Sequence, residues 1–404
     1  MSQSNRPKIL IFCDYYLPGF KSGGGLRTLV NTVERLGDDF DFRIVTRDHD
    51  GKADRSPYQD VQIDVWNQVG KALVNYLPRK KIRLAQIRKH VEEVDPDSIY
   101  LNSFFSSFTI LVLLSRKLGW TKKCPIVIAP EGELSKGALQ LKPTKKKLYL
   151  RAAAAIDLYK NILWKTTSKF ESEESEKLKG TGGQVFIAPN MPPRTILPNY
   201  VQDRKPAKMP GAARMVFLSR VHPKKNLRFL LELFGSISEN VHLDVYGPLD
   251  DEAYAESCLT LAGTMPENVK VEFKGEIEHA KVGETLFEYD FFVLSTLGEN
   301  FGHVFIEALA AGCPLIISDR TPWIDLEEKG VGWDIPLEDR ERWISVIREC
   351  ASLNNEAYAI LSTNARDYAE KWLADKEVEN ATRRVLEHSV ELSRDGSSDN
   401  RVRS

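Results

Sequence analysis

The sequence predicts an α/β protein built from two Rossmann-like domains with a central cleft. Its 404 residues exceed what one hydrophobic core normally supports. Short apolar runs alternate with helical patterns along most of the chain, which indicates parallel sheets covered by helices on both faces. A segment rich in proline, lysine and arginine, residues 192–211, lacks apolar periodicity and divides the chain into similar halves. In such sheets ligands bind beyond the carboxyl ends of the strands.

The first half, residues 1–195, is predicted as the acceptor-side domain. Its strands are apolar runs at Lys8–Cys13, Phe42–Thr46, Ser98–Leu101, Pro125–Ala129, Leu163–Thr167 and Val185–Ala188. Helical spacing starts near Leu26 and recurs at Lys80–Val91, Phe108–Leu118 and Thr144–Tyr159.

The second half, residues 205–375, repeats the alternation and is predicted to bind a nucleotide. Its strands are predicted at Arg214–Leu218, Val241–Tyr246, Val269–Phe273, Phe291–Leu294, Leu315–Ile317 and Gly332–Ile335. Helical patterns follow at Glu356–Leu373 and Lys376–Leu392. We expect residues 376–393 to pack back toward the first domain, and the polar residues 394–404 to be disordered.

Composition excludes several classes of protein. The formal net charge of −1 offers no bulk positive charge for nucleic acid. The five cysteines are scattered and lack metal-ligand spacing, which indicates a reducing compartment. The polar start of the chain does not resemble a signal peptide, and no apolar run is long enough to span a bilayer. We therefore expect a cytoplasmic protein, either free or at the inner face of the cytoplasmic membrane.

A glycine-rich loop follows the first strand. Gly23, Gly24 and Gly25 let backbone N–H groups approach an anion at the start of a helix. The loop is not a dinucleotide fingerprint, because Thr28 stands where the third glycine belongs. The alternative is a plain flexible loop.

Two further loops follow strands of the second half. Arg220 and Lys225 suit a diphosphate, since arginine offers a bidentate fork and lysine a point charge. The alternative is a solvated cationic loop. Tyr246 and Gly247 end the next strand, where they either line a nucleotide pocket or form a turn.

The stretch Gly298–Pro314 carries Glu299 and Glu307, with seven residues between them. Glu299 lies in a loop after a strand, and Glu307 lies inside the helix that follows. An acid near a helix N-terminus is stabilised by the helix dipole, which explains Glu299 but not Glu307. The backbone before and at the start of this helix is predicted to face an anion, and the binding residues predicted there are Asn300, Phe301, Gly302 and His303.

These motifs, in this order, resemble the retaining glycosyltransferases of the GT-B fold, in particular the bacterial nucleotide-sugar-dependent enzymes of family 4. The resemblance implies that Arg220 and Lys225 clamp the diphosphate, that Glu299 contacts the transferred sugar and that Glu307 bonds the ribose hydroxyls. It also implies no metal and no cofactor beyond the nucleoside-diphosphate sugar donor. Asp48–Asp50 is a D-x-D-like match, interpreted as a loop.

The implied function is transfer of a sugar, with retention, to a glycan or lipid-linked acceptor in surface polysaccharide biosynthesis (lipopolysaccharide, capsule or exopolysaccharide). The alternatives are a nucleotide-sugar epimerase of the same fold and a non-catalytic nucleotide-sugar-binding subunit. A glycosidase-type acid pair is disfavoured, because hydroxyl recognition needs both acids ionised.

The basic stretch Lys142–Ala155 is either a solvated face or a surface for anionic lipid, with Leu148, Tyr149 and Leu150 as apolar partners.

The segment Ala129–Leu139 departs from the family pattern. Many members carry histidine or arginine near the position of Glu131, close to the transferred sugar, where this sequence has an acid. We expect Glu131 either to accept a sugar or acceptor hydroxyl or to be neutralised by Lys136 or Arg27. The alternatives are a solvent-facing acid and, if the register differs, a role for Glu133 instead.

Overall fold

The computed structural model describes residues 6–20, 23–51, 56–120, 124–135, 139, 143–194 and 205–401, with side chains to residue 395. The chain divides into two compact units. The first comprises Met1–Arg194 and Lys376–Ser404, and the second comprises Thr195–Asp375. The division near residue 194 falls within the segment 192–211, of which residues 195–204 lie outside the described part of the chain.

Eight strands of the first unit's described residues form one sheet. They are β1 (Lys8–Cys13), β2 (Asp41–Arg47), β3 (Trp66–Val69), β4 (Ala72–Leu77), β5 (Ser98–Asn102), β6 (Ile126–Ala129), β7 (Ile162–Thr166) and β8 (Gln184–Ile187). Their order is β3-β4-β2-β1-β5-β6-β7-β8, and only the pairing of β3 with β4 is antiparallel within this described sheet. The parallel strands start from a common edge, so the loops after β1, β5, β6, β7 and β8 share the opposite edge.

Helices cover both faces of this sheet. They are α1 (Gly24–Leu36), α2 (Leu84–Val94), α3 (Ser107–Lys117), α4 (Pro143–Ala155) and α5 (Lys169–Glu176). Alternate residues of β1 enter two separate hydrophobic clusters, with Ile9 and Ile11 on one side and Leu10 and Phe12 on the other. This two-sided burial explains why the strands are continuous apolar runs in the sequence.

The second unit is a six-stranded parallel sheet in the described residues. Its strands are β9 (Ala212–Leu218), β10 (Asn240–Tyr246), β11 (Val269–Gly275), β12 (Phe291–Leu294), β13 (Leu315–Ser318) and β14 (Gly332–Ile335). Its helices are α6 (Leu227–Phe234), α7 (Glu252–Ala262), α8 (His279–Phe287), α9 (His303–Ala310), α10 (Arg340–Ser352) and α11 (Asn355–Ala374). The strand order β11-β10-β9-β12-β13-β14 is the Rossmann order, which reverses direction between β9 and β12.

The C-terminal helix α12 (Glu377–Arg401) belongs to the first unit. Its Ala381, Val385, Leu386 and Val390 side chains lie in the same cluster as one face of β1. The helix continues through most of the segment predicted as disordered from residue 394, because backbone hydrogen bonding can extend a helix past its last apolar residue. Residues 402–404 of that tail lie outside the described part.

The α/β prediction is confirmed for both units, with one difference in the first unit. The hairpin of β3 and β4 was not predicted, although Gly70 between its strands has the positive φ of 56° that a tight turn uses. All five cysteines are buried and unpaired. Among the described residues, no helix combines the length and apolar character needed to cross a bilayer.

Candidate functional site

Three neighbouring strands of the second unit end in the predicted binding loops. The strands β10, β9 and β12 are adjacent and parallel. Tyr246 ends β10 and Gly247 follows it, the loop with Arg220 and Lys225 follows β9, and the loop with Glu299 follows β12. The sheet therefore brings the three second-unit motifs to one edge, the edge where Rossmann folds bind ligands.

Lys225 and Glu299 form an ion pair between two of these loops. Both side chains are largely buried, at 13% and 17% exposure. Burial raises the pKa of Glu299, but the Lys225 ammonium, with help from Lys224, outweighs it and holds this pKa below its usual value. Glu299 is therefore an ionised carboxylate, the state that accepts bonds from hydroxyl groups.

Backbone and hydroxyl contacts fix the two loops against each other. The N–H of Leu297 donates to the carbonyl of Lys224 at 2.8 Å, and the Thr296 hydroxyl donates to the same oxygen at 3.1 Å. The Ser295 hydroxyl donates to the Asn226 carbonyl at 2.8 Å. These contacts set the place of the Lys225–Glu299 pair before any ligand binds.

Arg220, the other predicted diphosphate residue, is exposed and pairs with Asp250. Its Nη1 lies 2.8 Å from Asp250 Oδ2, with the two side chains 49% and 42% exposed. Asp250 follows the Tyr246–Gly247 turn, so a predicted anion-binding cation is held by an acid from the neighbouring loop.

The Tyr246–Gly247 turn approaches the β9 loop closely. A Cβ on Gly247 would lie 2.1 Å from the carbonyl oxygen of Ser219, and its φ of 133° is also unfavourable to other residues. The Tyr246 hydroxyl lies 3.2 Å from that of Tyr289, which in turn donates to Asp244. Gly247 thus packs the two loops together, whereas the Tyr246 hydroxyl is engaged within the fold.

The start of α9 is shaped by Gly302 and an aromatic cluster. Gly302 has a φ of 78°, and a Cβ there would lie 2.5 Å from the ring of Phe305. Phe301 is buried and its carbonyl accepts a hydrogen bond from Trp323 Nε1 at 2.6 Å. The ring of the buried His303 lies 4.9 Å from that of Phe301. Phe301 and His303 therefore anchor the helix start, while Asn300 stands beside Glu299 in the loop.

Glu307 is buried inside α9, at 9% exposure. A merely dipole-stabilised surface acid would be exposed, so that alternative fails for this residue. The Nδ1 atom of His279, at the start of α8, lies 3.8 Å from Glu307 Oε1. No sequence motif predicted His279, because its contact with Glu307 joins two different helices.

The glycine loop and Glu131 lie in the first unit. Gly23 has a φ of 72° and precedes α1, and Gly23 and Gly24 are exposed. A Cβ on Gly25 would lie 3.7 Å from Glu131 Cγ and 3.9 Å from Asn102 Nδ2. The structure therefore brings the glycine loop and Glu131 together, as neighbours at the carboxyl ends of β1 and β6.

Glu131 has an unusual environment. Its φ is 54°, in the left-handed region, and its Oε1 is buried without a hydrogen-bond partner among the described residues. Burial raises the pKa of its carboxyl to about 7, although Lys165 and the Asn190 side chain lower it. The cation that opposes the Glu131 charge is thus Lys165, whereas Arg27 and Lys136 were predicted. Lys136 lies outside the described residues.

Glu133, the alternative to Glu131, has a structural role. Its Oε1 accepts from the Ser103 hydroxyl at 2.9 Å, and its Oε2 accepts from the N–H groups of Phe104 and Phe105 at 2.7 and 2.8 Å. A carboxylate with three such bonds holds the loop after β5. The structure therefore favours Glu131 over Glu133 as the residue open to a ligand.

The basic helix α4 presents a smaller apolar surface than predicted. Leu148 is 70% exposed, but Tyr149 and Leu150 are partly buried against the first unit's core. Lys146 Nζ lies 4.6 Å from the centre of the Phe105 ring. The exposed cations described on this helix include Lys145, Lys147 and Arg151, while Lys142 lies outside the described residues.

One group of side chains in the described residues has ligand types that a metal could use. His242, Asp244 and Glu272 offer atoms within 4.8 Å of one another on β10 and β11. Lys270 and Lys274 pair with Glu272 and lower its pKa to about 2. Two ammonium groups beside the same carboxylate would repel a metal cation at this place.

Residues 201–369 match the family described as glycosyl transferases group 1. The match covers most of the second unit, where the loops of Arg220, Lys225 and Glu299 lie.

Among curated proteins, the phosphatidyl-myo-inositol mannosyltransferase of Mycobacterium leprae is 30% identical over 131 residues. This alignment covers 31% of the present chain and 33% of the relative, so the chain matches about a third of that protein's length.

Solved structures are similar over almost the whole chain. HepE of Anabaena, in complex with UDP and glucose, has a TM-score of 0.65 at 14% identity, covering 95% of this chain and 99% of that one. WaaG, described as a glycosyltransferase involved in lipopolysaccharide biosynthesis, has a TM-score of 0.63 at 15% identity, covering 93% and 98%. The chain therefore has the GT-B fold of these glycosyltransferases, as predicted.

Proposed function

We propose that this protein is a retaining glycosyltransferase that takes a sugar from a nucleoside-diphosphate sugar, without a metal or other cofactor, and passes it to a glycan or lipid-linked acceptor. The observation that carries the proposal is the buried Lys225–Glu299 pair at the ligand-binding edge of a Rossmann sheet. The match of this unit to a glycosyl transferase family supports it.

Within this proposal the second unit's residues have different roles. Arg220 and Lys225 neutralise the charge that develops on the departing diphosphate, so fixed side chains take the place of a metal ion. Glu299 accepts hydrogen bonds from the transferred sugar, because Lys225 keeps it ionised. Glu307, buried beside His279, accepts bonds from the ribose hydroxyls, and the N–H groups at Asn300–His303 face the phosphates.

In the first unit, Glu131 accepts a hydroxyl of the sugar or acceptor, and the N–H groups of the Gly23–Gly25 loop take part in donor binding. The role of Glu131 is supported by its Oε1 atom, which has no hydrogen-bond partner among the described residues. The likeness to WaaG in fold supports surface polysaccharide assembly as the pathway. The cations and exposed Leu148 of α4 support contact with an anionic membrane at the inner face of the cytoplasmic membrane, where a lipid-linked acceptor would be met.

The first experiment is a thermal-shift screen of uridine, guanosine and adenosine diphospho-sugars. A ligand at ~100 times its dissociation constant stabilises the folded state by about 2.7 kcal/mol. The proposal requires one nucleotide family to raise the melting temperature. No shift with any of them, under conditions where the protein is folded, would contradict donor binding.

NMR of the identified donor then separates the candidate activities. A glycosyltransferase gives a new glycoside, with the donor's anomeric configuration, only when an acceptor is present. An epimerase changes or hydrolyses the donor without an acceptor, and a binding subunit leaves it intact. Arg220→Ala and Lys225→Ala should each lower turnover by ~10²–10³-fold. Arg228→Ala is the matched control, since it removes an arginine that pairs with Glu232 on the nearby helix.

A further inference from the structure

A set of buried polar side chains surrounds Glu131 at the carboxyl ends of four adjacent strands of the first unit. Asn102 ends β5, Glu131 follows β6, Lys165 lies near the end of β7, and Asn190 follows β8. Asn102, Lys165 and Asn190 are 7%, 1% and 3% exposed. Four such groups at one sheet edge are unusual, because buried polar groups must be satisfied.

Each of these four side chains has one buried polar atom without a hydrogen-bond partner. Glu131 Oε1, Asn102 Oδ1, Asn190 Oδ1 and Lys165 Nζ are all buried and have no hydrogen-bond partner among the described residues. An unsatisfied buried group costs about 1–3 kcal/mol, and more when it is charged. The fold therefore leaves three acceptors and one cationic donor unpaired in the same region.

The four groups lie together. Asn102 Nδ2 lies 3.5 Å from the carbonyl of Gly25, and a Cβ on Gly25 would touch both Asn102 and Glu131. Lys165 and Asn190 both act on the Glu131 carboxyl, Lys165 through its charge and Asn190 through a hydrogen bond. Their coupling places all four around one point beside the glycine loop.

Two neighbouring acids are satisfied within the fold. Glu171, in α5, accepts bonds from the N–H and hydroxyl of Thr167, both at 2.8 Å, and Glu133 accepts the three bonds described above. Other buried polar atoms of the described residues also lack a partner, but those of Asn102, Glu131, Lys165 and Asn190 are grouped at the carboxyl ends of β5, β6, β7 and β8.

The chemistry of the four atoms selects the ligand. A phosphate would pair with Lys165 but would leave three acceptor oxygens unpaired and be repelled by Glu131. An ammonium group would pair with the acceptors but be repelled by Lys165. A hydroxyl group both donates and accepts, so a neutral polyol suits the three acceptor atoms and is repelled by neither charge.

We propose that Asn102, Glu131, Lys165 and Asn190 form a subsite for a neutral, hydroxyl-rich sugar unit of the acceptor, in which Lys165 is a positioning residue that keeps Glu131 as a hydrogen-bond acceptor. This inference rests on the proposed glycosyltransferase function. Lys165 sits beneath the site in a fully buried strand, so its charge acts through Glu131. The other charged or titratable groups that act on Glu131 are Glu171, Glu133 and Tyr100.

The first test is a pH titration of the Glu131 carboxyl group. It is monitored by carbon-13 NMR of labelled glutamate carboxyl groups, and the Glu131 signal is assigned by its loss in Glu131→Gln. Lys165→Met removes the opposing charge and should raise the Glu131 midpoint by about 1–3 pH units, whereas Lys165→Arg should keep it near the wild-type value. Lys169→Met, which removes an exposed lysine from the nearby helix α5, is the matched control. An unchanged midpoint in Lys165→Met would overturn the positioning role.

The second test is binding of methyl α-D-glucopyranoside, methyl α-D-galactopyranoside, methyl α-D-mannopyranoside and myo-inositol, measured by saturation-transfer NMR. At least one probe should bind the wild type and lose about tenfold or more in affinity in Glu131→Gln and Asn190→Ala. Absence of binding to the wild type, or equal binding to all variants, would overturn the subsite and leave a water-filled polar cluster.

Nucleoside diphosphate affinity separates this inference from the function on which it rests. The Lys165→Met variant should bind the nucleotide as the wild type does, because the phosphate residues belong to the second unit. If the wild type binds no nucleotide, the proposed function fails, whereas loss of the glycoside signal alone removes only the subsite. An equal loss of nucleotide and glycoside binding in Lys165→Met would indicate general structural damage and contradict the proposal.

Discussion

Because Arg220 forms an ion pair with Asp250, we predict that removing the Asp250 charge increases the affinity for the nucleotide. If Arg220 binds the diphosphate, it must leave or share its bond to Asp250, which lies 2.8 Å away in the ligand-free protein. Asp250 therefore competes with the ligand for the same guanidinium. The substitution Asp250→Asn keeps the size of the side chain but removes its charge, so it should release Arg220 for the diphosphate.

The size of the effect follows from the exposure of the pair. Both side chains are more than two-fifths exposed, and exposed pairs contribute about 0.2–1 kcal/mol. Because about 1.4 kcal/mol corresponds to a tenfold change in affinity, losing this competition should tighten binding by roughly 1.4- to 5-fold. Salt screens exposed charges, so the gain should shrink as ionic strength rises toward ~1 M.

Isothermal titration calorimetry with the nucleoside diphosphate identified by the thermal-shift screen measures this gain at low and high salt. Glu252→Gln is the matched control, because it removes an exposed acid two residues along the same segment. Weaker binding in Asp250→Asn would refute the reasoning, since it would show that Asp250 orients Arg220 for the ligand. An equal gain in Glu252→Gln would show a general effect of charge and would also refute it.

Three further predictions address other parts of the molecule. Glu307→Gln should weaken binding of the bare nucleoside diphosphate, whereas Glu299→Gln should weaken only the sugar-bearing donor, as measured by calorimetry with both ligands; equal losses of nucleotide affinity would contradict this division. Charge reversal of Lys145, Lys147 and Arg151 should reduce binding to anionic vesicles by up to ~1 kcal/mol per residue, and unchanged sedimentation with vesicles would remove the membrane contact. Lys208→Met should lower the free energy of unfolding by about 1–3 kcal/mol for each carbonyl left unpaired, measured by urea unfolding, and a variant as stable as the wild type would contradict the capping role described below.

Local sequence signals predicted most of the second unit. The strand Phe291–Leu294 has the predicted bounds, because a short apolar run ends at a polar loop. Gly247 and Gly302 are sites where only a glycine fits, so their motifs report backbone geometry directly. The sequence could not show which cation pairs with which acid, since the partners of Arg220 and Lys225 come from loops 30 and 74 residues away.

The segment predicted as the interdomain linker contains a buried cation that composition does not reveal. Lys208 is 1% exposed. The Lys208 ammonium donates to the carbonyls of Met209 at 2.9 Å, Ala351 at 3.1 Å and Leu353 at 3.4 Å, and also to that of Ala212. It thereby caps the C-terminal end of α10. The sequence does not identify this role of Lys208, because two of the carbonyls, those of Ala351 and Leu353, lie 143 and 145 residues further along the chain.

Lys165 illustrates the opposite case, a signal that the sequence did contain. The strand Ile162–Thr166 reads Ile-Leu-Trp-Lys-Thr, and every residue in it is buried. A lysine in a strand covered on both faces needs a charged or polar partner, so its presence alone indicates a buried acid nearby. Glu131 departs from the histidine or arginine expected of the family at almost the same place. The two departures are explained together, because an acid placed at a buried position is easier to ionise beside a cation than alone. The Coulombic attraction between Lys165 and Glu131 therefore gives one physical reason for both departures.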